Sequence, residues 1–366
     1  MKIGILTHYK VNNQGAQLQL YGLYNFLKEL GHHPYVLTYK KNYDFDTRNW
    51  EKRNEISINS IGYILKEFLI KKGLKLTWHN YLKYRTNGKF RKENFKYAHY
   101  ALDHMDAAIV GSDEVLSLQC GPNIMMYGHA VNADRLITYA PCSSVTSAEE
   151  IEKWHCTALY SSGLKMFHAL SARDEFTASV IKELTGRDDV QLTCDPVLLY
   201  DFSKVHTPYK KIKQKYIIAY AYDRNFVDKN EVDAIRSYAK SKGLKVASVG
   251  TYHAWCDYNI VCDPLQWIEY FRDAEAVVTN TFHGTVLSVI TNTPMAVMAK
   301  NPKTKSVLEN LGLSDRNMTD ISQISQVMSR DIDFEAMNEK WHDMRDKSAE
   351  FLINALSEKG GQQNEE

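Results

Sequence analysis

Several features that mark other classes of protein are missing from this chain of 366 residues. Its six cysteines are scattered, with no Cys-x-x-Cys pair and no histidine at zinc-finger spacing, which argues against a structural metal and predicts reduced thiols. No stretch reaches the roughly 18 uncharged apolar residues that a transmembrane helix needs. The first residues, MKIGILTHYK, hold too short an apolar run for a signal peptide. These absences predict a cytoplasmic protein that remains able to touch a membrane surface.

The chain also lacks a strong charge of either sign. Its formal net charge is +1, which by itself gives no indication of a nucleic-acid partner. With 44% hydrophobic and 24% charged residues, the composition is that of an ordinary globular protein. Because the length exceeds what one hydrophobic core usually supports, we expect two domains.

Apolar runs alternate with helical patterns in two series. Strand-like runs begin each series, at residues 2–7 and 216–222, and the alternation that follows is typical of parallel sheets with covering helices. A polar stretch without apolar period, residues 201–215, is the predicted linker. Residues 335–356 form a predicted helix long enough to return to the first domain. The final GGQQNEE is expected to be disordered.

Residues 61–100 differ from the rest of the chain in charge. They carry ten lysines or arginines against two glutamates, with aromatic residues interleaved. Such helices lie on anionic membrane surfaces, single-stranded nucleic acid uses the same ingredients, and a solvated helical insertion has them too. We expect a basic helical insertion at about residues 60–100. Its functional interpretation is peripheral membrane contact, with no nucleic acid as partner.

Residues 276–290, AVVTNTFHGTVLSVI, predict a strand, a turn and a helix. Ligands of open parallel sheets bind at the carboxyl ends of the strands, where a helix start offers free N–H groups. His283 is the side chain there that can exchange a proton near neutral pH, and Gly284 lets an anion come close. A hydrogen-bonded structural histidine fits the same pattern.

Other polar residues follow predicted strands in the first half. Asp113 is suited to be a base, an acceptor for a sugar hydroxyl or a helix N-cap. Arg173 lies between a strand and a helix, where it can hold an anion or pair with Asp174 or Glu175. Residues 11–19 suit a phosphate, a sugar hydroxyl or a tight turn, and lack the full Gly-x-Gly-x-x-Gly spacing of a dinucleotide site.

Six short motifs, taken together, resemble the polysaccharide pyruvyl transferase family. In chain order they are Asn13 to Gln19 (N-Y-G-A-x-L-Q in the family), Gly111 to Glu114 (G-S-D-Q-V-W), Ser171 to Asp174 (S-x-R-[DE]), Asp195-Pro196, Asn280 to Gly284 ([ST]-x-[FL]-H-G), and Lys305 with Leu308 to Leu313 (K-x-x-x-L-L-x-x-L-G-L). Each motif is weak alone. Six in the right order span nearly the whole chain and are fairly specific.

The resemblance implies both an activity and a fold. The family transfers the enolpyruvyl carbons of phosphoenolpyruvate onto two hydroxyls of a sugar and so forms a cyclic pyruvate ketal, here on a bacterial-type surface or exopolysaccharide precursor. The implied fold is α/β and glycosyltransferase-B-like, with two Rossmann-like domains facing across a cleft, as the order of predicted elements also indicates. Residues 1–205 would form the acceptor side and residues 206–330 the donor side. Residues 331–366 would supply the returning helix and the disordered tail.

The resemblance also implies roles for site residues. His283 matches a donor-site catalytic residue and Arg173 a contact to phosphoenolpyruvate. The chemistry needs an acid for the methylene carbon and a base for the sugar hydroxyl, for which the candidates are protonated His283 and either Asp113 or Glu114. Groups for the carboxylate and phosphate of the donor are Arg173, Gly284, Thr285 and Lys305. Candidates for the acceptor are Asn13, Gln14, Gly15 and Gln19.

Phosphoenolpyruvate is expected as a co-substrate, with no cofactor and no metal. The acceptor is a saccharide that is linked to polyprenyl diphosphate, linked to a nucleotide, or polymeric. The expected location is the cytoplasm, including the inner face of the membrane.

The chain departs from the family in front of the motif histidine. Phe282 stands where many members have an Arg-Leu pair, so Lys300, Lys303 and Lys305 are the candidates for the missing cation. In the second motif, Glu114 replaces a glutamine and Leu116 a tryptophan.

Two other functions fit the same architecture. One is a nucleotide-sugar glycosyltransferase, which would be expected to keep an acidic residue for the ribose in its second domain. The other is a non-catalytic glycan-binding module.

Overall fold

A computed structural model describes residues 1–40 and 73–357 of the chain. The strands of its first half are β1 (Lys2–Leu6), β2 (His33–Thr38), β3 (Tyr97–His99), β4 (Ala107–Val110), β5 (Leu136–Thr138), β6 (Ser171–Ala172) and β7 (Gln191–Leu192). Those of the second half are β8 (Tyr216–Tyr220), β9 (Lys245–Val249), β10 (Tyr258–Ile260), β11 (Ala276–Thr279) and β12 (Met295–Val297).

Helices connect and cover these strands. They are α1 (Gln14–Glu29), α2 (Leu74–Asn94), α3 (Ala148–Lys153), α4 (Thr157–Leu164), α5 (Glu175–Thr185), α6 (Pro196–Leu199), α7 (Lys229–Ser241), α8 (Pro264–Arg272), α9 (Phe282–Ile290), α10 (Pro302–Asn310), α11 (Ile324–Met328) and α12 (Phe334–Ser357). Many begin at a side chain that accepts from a backbone N–H of the first turn, such as Asn13, Asp174, Thr281 and Asn301.

Each half contains one five-stranded sheet whose neighbouring strands are all parallel. The strand orders are β3-β2-β1-β4-β5 and β10-β9-β8-β11-β12, so that both sheets have the same topology. In each sheet the order reverses beside the first strand, at β1/β4 and at β8/β11. The crevice at such a switch point is where parallel sheets bind ligands.

The last helix returns to the first half, as the sequence predicts. On α12, Trp341 donates through Nε1 to the Leu198 carbonyl at 2.8 Å, and the Ser348 hydroxyl accepts from the Cys194 N–H at 2.9 Å. Near the end of the helix, the Leu356 carbonyl accepts from Arg135 at 3.0 Å. The tail predicted to be disordered lies outside the described residues from 358 onward.

The helical part of the predicted basic insertion ends before residue 100. Its residues up to 72 lie outside the described part of the chain, and Leu74–Asn94 forms α2. Tyr97–His99, however, is β3, the edge strand of the first sheet, paired in parallel with β2. This strand has three residues, of which the first is exposed and the other two are half-buried. It is too short to show the alternation of apolar and polar residues by which a strand is recognised in a sequence.

Two further boundaries differ from the sequence-based expectation. The sequence of residues 147–160 predicts one helix, but this stretch is divided into α3 and α4, with His155 between them at a φ of 56°. The sequence of residues 190–199 predicts a strand that closes on a turn, but the strand ends at Leu192, and Pro196–Leu199 is helical. The Asp195 side chain accepts from the Val197 N–H and the proline occupies the first helical position, which together favour a helix start.

Candidate active site

Polar side chains meet where the carboxyl ends of the two sheets face each other. The first half contributes carboxylates, one guanidinium and one imidazole, and the second half contributes an imidazole, an amide and an ammonium group. They are His8 after β1, Asp113 and Glu114 after β4, Arg173 after β6, Asp195 after β7, Asn280 and His283 after β11, and Lys303 after β12.

Arg173 is a buried cation with part of its guanidinium unused. Its side chain is 4% exposed, and Nη1 donates to Asp195 Oδ2 at 3.1 Å. Asp174 does not pair with it, because that carboxylate caps α5 through the Thr177 N–H. Nε and Nη2 of Arg173 are buried without a hydrogen-bond partner, although the ring of Phe282 lies 5.0 Å from the guanidinium carbon. Buried donors are rarely left unpaired, so this edge is suited to an anion.

The charge of Arg173 is secure. Burial would lower the pKa of its guanidinium, but the neighbouring Cys142, Asp195 and Asp113 outweigh this effect and raise the pKa. Arg173 is therefore cationic at any pH at which the protein is folded.

Asp195 is the partner of Arg173 that sequence reasoning missed. It is fully buried and accepts from the Val197 N–H at 3.0 Å and from the Gln19 side chain. Gln19 is buried as well, and its amide nitrogen donates to Asp195, while its predicted contact with the acceptor stays a prediction. The Asp195-Pro196 pair was visible in the sequence, but nothing local to it indicates a distant arginine.

His283 lies in the first turn of α9 and packs against Gly15 at the start of α1. A Cβ on Gly15 would overlap the imidazole ring, so the absence of a side chain there allows the two halves to approach. Nε2 of His283 is buried without a hydrogen-bond partner. The histidine is thus positioned by the opposite half of the chain and has one ring nitrogen free for a ligand.

The imidazole is neutral in this state of the protein. Burial lowers the pKa of His283 to about 4, and Arg173 and Lys303 act in the same direction, against the opposing effect of Asp195 and Asp113. The protonated form expected for the chemical step is therefore not the form of His283 in the protein without substrate, and its role as an acid stays a prediction. A bound anion would favour the charged form and raise this pKa.

Gly284 and Thr285 form hydrogen bonds with Thr281, the residue that caps α9. The Gly284 N–H donates to the Thr281 hydroxyl at 3.0 Å, and the Thr285 hydroxyl donates to the Thr281 carbonyl at 3.1 Å. Both residues are buried. Their geometry therefore does not support the prediction that they contact the donor directly.

Asp113 and Glu114 follow β4 on a loop with unusual backbone geometry. Asp113 has a φ of 79° and caps no helix. Burial alone would raise its pKa, but His8, Arg173 and Lys303 together outweigh burial and lower it, so the carboxylate is ionised near neutral pH. Glu114 accepts from Lys303 Nζ at 3.0 Å, an ion pair between the two halves.

Lys303, and not the predicted Lys305, faces this cluster. Residues two apart on a helix point about 200° away from each other. The Lys303 side chain is 23% exposed and reaches Glu114, whereas Lys305 on the other side of α10 is exposed.

The start of α1 serves mainly to join the halves. Asn13 caps the helix by accepting from the Gly15 N–H at 2.9 Å and also hydrogen-bonds Tyr222, which is 45% exposed. Gln14 is fully buried and donates to the Cys262 carbonyl at 2.8 Å. Gln14 is therefore an interdomain contact, and its predicted role in acceptor binding stays a prediction. Asn13 lies at the cleft beside Tyr222.

Two more buried polar groups at these strand ends have no partner. They are the amide of Asn280, at both its oxygen and its nitrogen, and the Ser112 hydroxyl. With Arg173 and His283 they form a set of unsatisfied donors and acceptors that protein atoms alone do not complete. Such a set can bind a ligand that carries both anionic groups and hydroxyls.

One group of possible metal ligands occurs elsewhere among the described residues. His104, Asp106 and Asp134 place their ligand atoms within 4.8 Å of one another. They lie before β4 and β5, at the opposite edge of the sheet from the cleft, and His104 and Asp134 are exposed. This group takes no part in the candidate site.

Comparison with known proteins gives a family and a fold. The family model described as polysaccharide pyruvyl transferase matches residues 13–301. Among solved structures, S. aureus MnaA with UDP is similar over 98% of this chain and 99% of that chain, with 13% identity and a TM-score of 0.53. A putative UDP-N-acetylglucosamine 2-epimerase from Listeria monocytogenes is similar over 97% and 95%, with 9% identity and a TM-score of 0.51. A comparison with curated proteins gives no match.

At these identities the structural likeness concerns the fold alone. It confirms the predicted α/β, glycosyltransferase-B-like arrangement of two Rossmann-like domains over the full length of the chain. The match of the family model covers more than three quarters of the residues, including every motif from Asn13 to Gly284.

Proposed function

The chain belongs to the polysaccharide pyruvyl transferase family, and we propose that it transfers pyruvate from phosphoenolpyruvate to two hydroxyls of a saccharide, forming a cyclic ketal. The observation that carries this proposal is the buried Arg173, whose Nε and Nη2 have no hydrogen-bond partner, together with the unpartnered Nε2 of His283. Phosphoenolpyruvate presents a carboxylate and a phosphate, and a guanidinium edge binds such groups with two parallel hydrogen bonds.

The proton-transfer groups lie on both sides of the same cleft. In the first step a sugar hydroxyl oxygen attacks the central carbon of the donor while the methylene carbon takes up a proton. Asp113 or Glu114 accepts the hydroxyl proton, and His283 delivers a proton to the methylene carbon. The central carbon then loses phosphate, and the second hydroxyl attacks it to close the ketal. One hydroxyl proton ends on the new methyl group and the other on the released phosphate, so the overall reaction neither consumes nor releases protons.

His283 needs its proton only when the donor is present. In the free protein burial keeps the imidazole neutral, with a pKa of about 4. The negative charges of phosphoenolpyruvate beside the ring raise this pKa, so we expect donor binding to be accompanied by proton uptake. Because burial keeps the free imidazole neutral, His283 is able to act as an acid only in the complex with the donor.

Phosphate release tests the proposal and separates it from its two alternatives. The protein is incubated with phosphoenolpyruvate, with and without acceptor glycans, and phosphate is measured together with the mass of the glycan. We expect acceptor-dependent phosphate release and a glycan heavier by one pyruvate ketal. A glycosyltransferase would instead release a nucleotide from nucleotide sugars. A binding module would retain the glycan and release neither, and either result contradicts the proposed reaction.

The acceptor saccharide is proposed to be carried on a polyprenyl diphosphate at the inner face of a bacterial membrane. The outer side of helix α2 is a surface suited to contact with such a membrane. Six residues lie within an arc of about 80° on its outer side, apolar at the start of the helix and basic towards its end: Leu74, Trp78, Tyr81, Arg85, Lys89 and Lys92. Leu74 is 74% exposed and Trp78 61% exposed.

The opposite face of α2 is fixed to the protein. His79, Asn87 and Phe90 are buried, and Asn87 donates to Asn12 at 2.9 Å, beside the start of α1. A lipid surface that attracts the outer face would thus lie close to the cleft. No helix in residues 1–40 and 73–357 is long and apolar enough to cross the bilayer.

Sedimentation with vesicles tests the membrane contact. Phosphatidylcholine vesicles with and without phosphatidylglycerol are compared at low and high salt, using the full chain and an Arg85→Glu/Lys89→Glu variant. We expect pelleting that requires the anionic lipid, weakens with salt and is reduced in the variant. Equal pelleting at both salt concentrations, or none at either, contradicts this proposal without affecting that of the reaction.

A further inference from the structure

Lys303 brings a cation from the second half of the chain to the candidate site. Asn301 caps α10 through the Thr304 N–H at 2.9 Å, and this fixes Lys303 in the first turn. Its ammonium group is 5.8 Å from the centre of the Phe282 ring and 3.0 Å from Glu114 Oε1. Phe282, which stands in the position of the missing Arg-Leu pair, therefore contacts Lys303 as well as Arg173.

The two cations reach the cleft from opposite halves. Arg173 comes from the end of β6 and Lys303 from the helix after β12. Both lower the pKa of Asp113 and of His283, so both lie close to these two groups of the candidate site. A donor with two anionic groups, held between the halves, has one cation available from each side.

The Lys303–Glu114 pair is able to exchange partners. Its side chains are 23% and 30% exposed, so the pair is partly hydrated and contributes little to stability. The phosphate of the donor carries more negative charge than one carboxylate and attracts an ammonium group more strongly. By contrast, the Arg173–Asp195 pair is buried and remains in place.

On the basis of the proposed function, we propose that Lys303 is the second cationic contact of the donor and leaves Glu114 when phosphoenolpyruvate binds. While Lys303 holds Oε1, one of the two oxygens of Glu114 is occupied by the ammonium group and only Oε2 is open to a sugar hydroxyl. Departure of Lys303 to the donor frees this carboxylate. Donor binding therefore prepares the base on the acceptor side, and the donor binds before the acceptor.

Direct measurement of donor affinity tests the contact. The dissociation constant for phosphoenolpyruvate is measured by calorimetry, without acceptor, for the full chain and for Lys303→Met, Lys303→Arg, Lys305→Met and Lys182→Met. Loss of one charge-assisted hydrogen bond should weaken binding about 10- to 100-fold in Lys303→Met. Lys303→Arg should restore most of the affinity. Lys182→Met, an exposed lysine of α5, is the matched control and should bind like the wild type.

Two results would overturn the assignment of the donor contact to Lys303. Equal affinity of the wild type and Lys303→Met overturns the inference, and a larger effect in Lys305→Met assigns the contact to that lysine instead. If the wild type itself binds no phosphoenolpyruvate, the proposed function is wrong rather than the assignment of Lys303.

Glu114→Gln provides a second test because its expected effect has the opposite sign. This variant releases Lys303 from its ion pair, so phosphoenolpyruvate should bind more tightly while turnover falls. Initial-rate kinetics should show the donor binding first in the wild type and lose this order in Lys303→Met. A purely structural ion pair would weaken donor binding in both variants, and that result, or random order in the wild type, overturns the proposal.

Discussion

The two halves of the molecule share one strand order but build their parts of the site by different means. In the second half, His283 and Lys303 lie in the first turns of helices that Thr281 and Asn301 cap. In the first half, site residues stand on loops after strands, and Asp113 adopts a φ of 79°. The same scaffold thus offers two ways to direct a side chain into a cleft.

The halves also differ in chemistry. The carboxylates Asp113, Glu114 and Asp195 come from the first half together with the imidazole of His8, whereas His283 and the ammonium group of Lys303 come from the second. Arg173 is the exception, because it is a cation of the first half that Asp195 of the same half holds in place. Under the proposed mechanism, the first half holds the donor through Arg173 and deprotonates the acceptor, while the second half supplies the proton from His283 and a second cation, Lys303.

Replacement of His283 should have the largest effect. Loss of a positioned acid lowers turnover by about 10² to 10⁴-fold, so His283→Ala should show a decrease of that order with a smaller change in donor affinity. Steady-state kinetics and calorimetry check this. His342→Ala, an exposed histidine on α12, is the control. Wild-type turnover in a folded His283→Ala protein would mean that the second half supplies no proton and that the proposed mechanism is wrong.

Replacement of Arg173 should change donor binding more than turnover. Arg173→Lys keeps the charge but loses the planar fork, so the apparent KM for phosphoenolpyruvate should rise about 10- to 100-fold with a smaller change in kcat. Arg173→Met should also destabilise the fold, on the order of 3–5 kcal/mol, since it leaves Asp195 buried without its partner.

Adding Asp195→Asn to Arg173→Met separates these two effects. The second change removes the uncompensated charge, so thermal unfolding should show partial recovery of stability while donor binding stays weak. Recovery of donor binding in the double variant would show that Arg173 acts only through Asp195, and would remove the exception from the comparison of the halves.

The smallest expected effect concerns His79, where α2 meets the second half. Its ring lies 5.6 Å from that of Tyr252, and burial, with help from Lys83, lowers its pKa to about 4. The unfolded chain holds this histidine at its ordinary pKa of 6.5, so between these values the unfolded state binds the extra proton. The free energy of unfolding should therefore decrease as the pH falls from 6.5 to 4.

His79→Phe should reduce this acid sensitivity, as measured by denaturant unfolding at a series of pH values. Part of the sensitivity should persist, because the pKa of His283 is lowered in the same direction. An unchanged pH dependence would show that the contact between α2 and the second half does not depend on a neutral His79.

The fold was predictable because its signals are local. Buried strands such as Ala276–Thr279 are continuous apolar runs, and caps such as Asp263 stand at the boundaries that they fix. The errors fall where local signals are weak, as in the three-residue edge strand Tyr97–His99, or where two adjacent short helices resemble one, as over residues 147–160.

The candidate site was predictable only in part. Arg173, His283, Asp113 and Glu114 do lie at the cleft, and their catalytic and binding roles remain predictions. The pairing of Arg173 with Asp195 and the approach of His283 to Gly15 depend on tertiary contacts that no local pattern encodes. The low pKa of His283 in the free protein likewise depends on burial and on the nearby Arg173 and Lys303, which the local sequence does not show.

The contact of the last helix with the first half has a consequence for the order of events during synthesis. The Cys194 N–H, beside Asp195, donates to Ser348, which follows it by 154 residues. At a translation rate of about 5–20 residues per second, the segment with Asp195 leaves the ribosome at least several seconds before its partner. A nascent chain therefore lacks this backbone contact beside Asp195 until the final helix has been released.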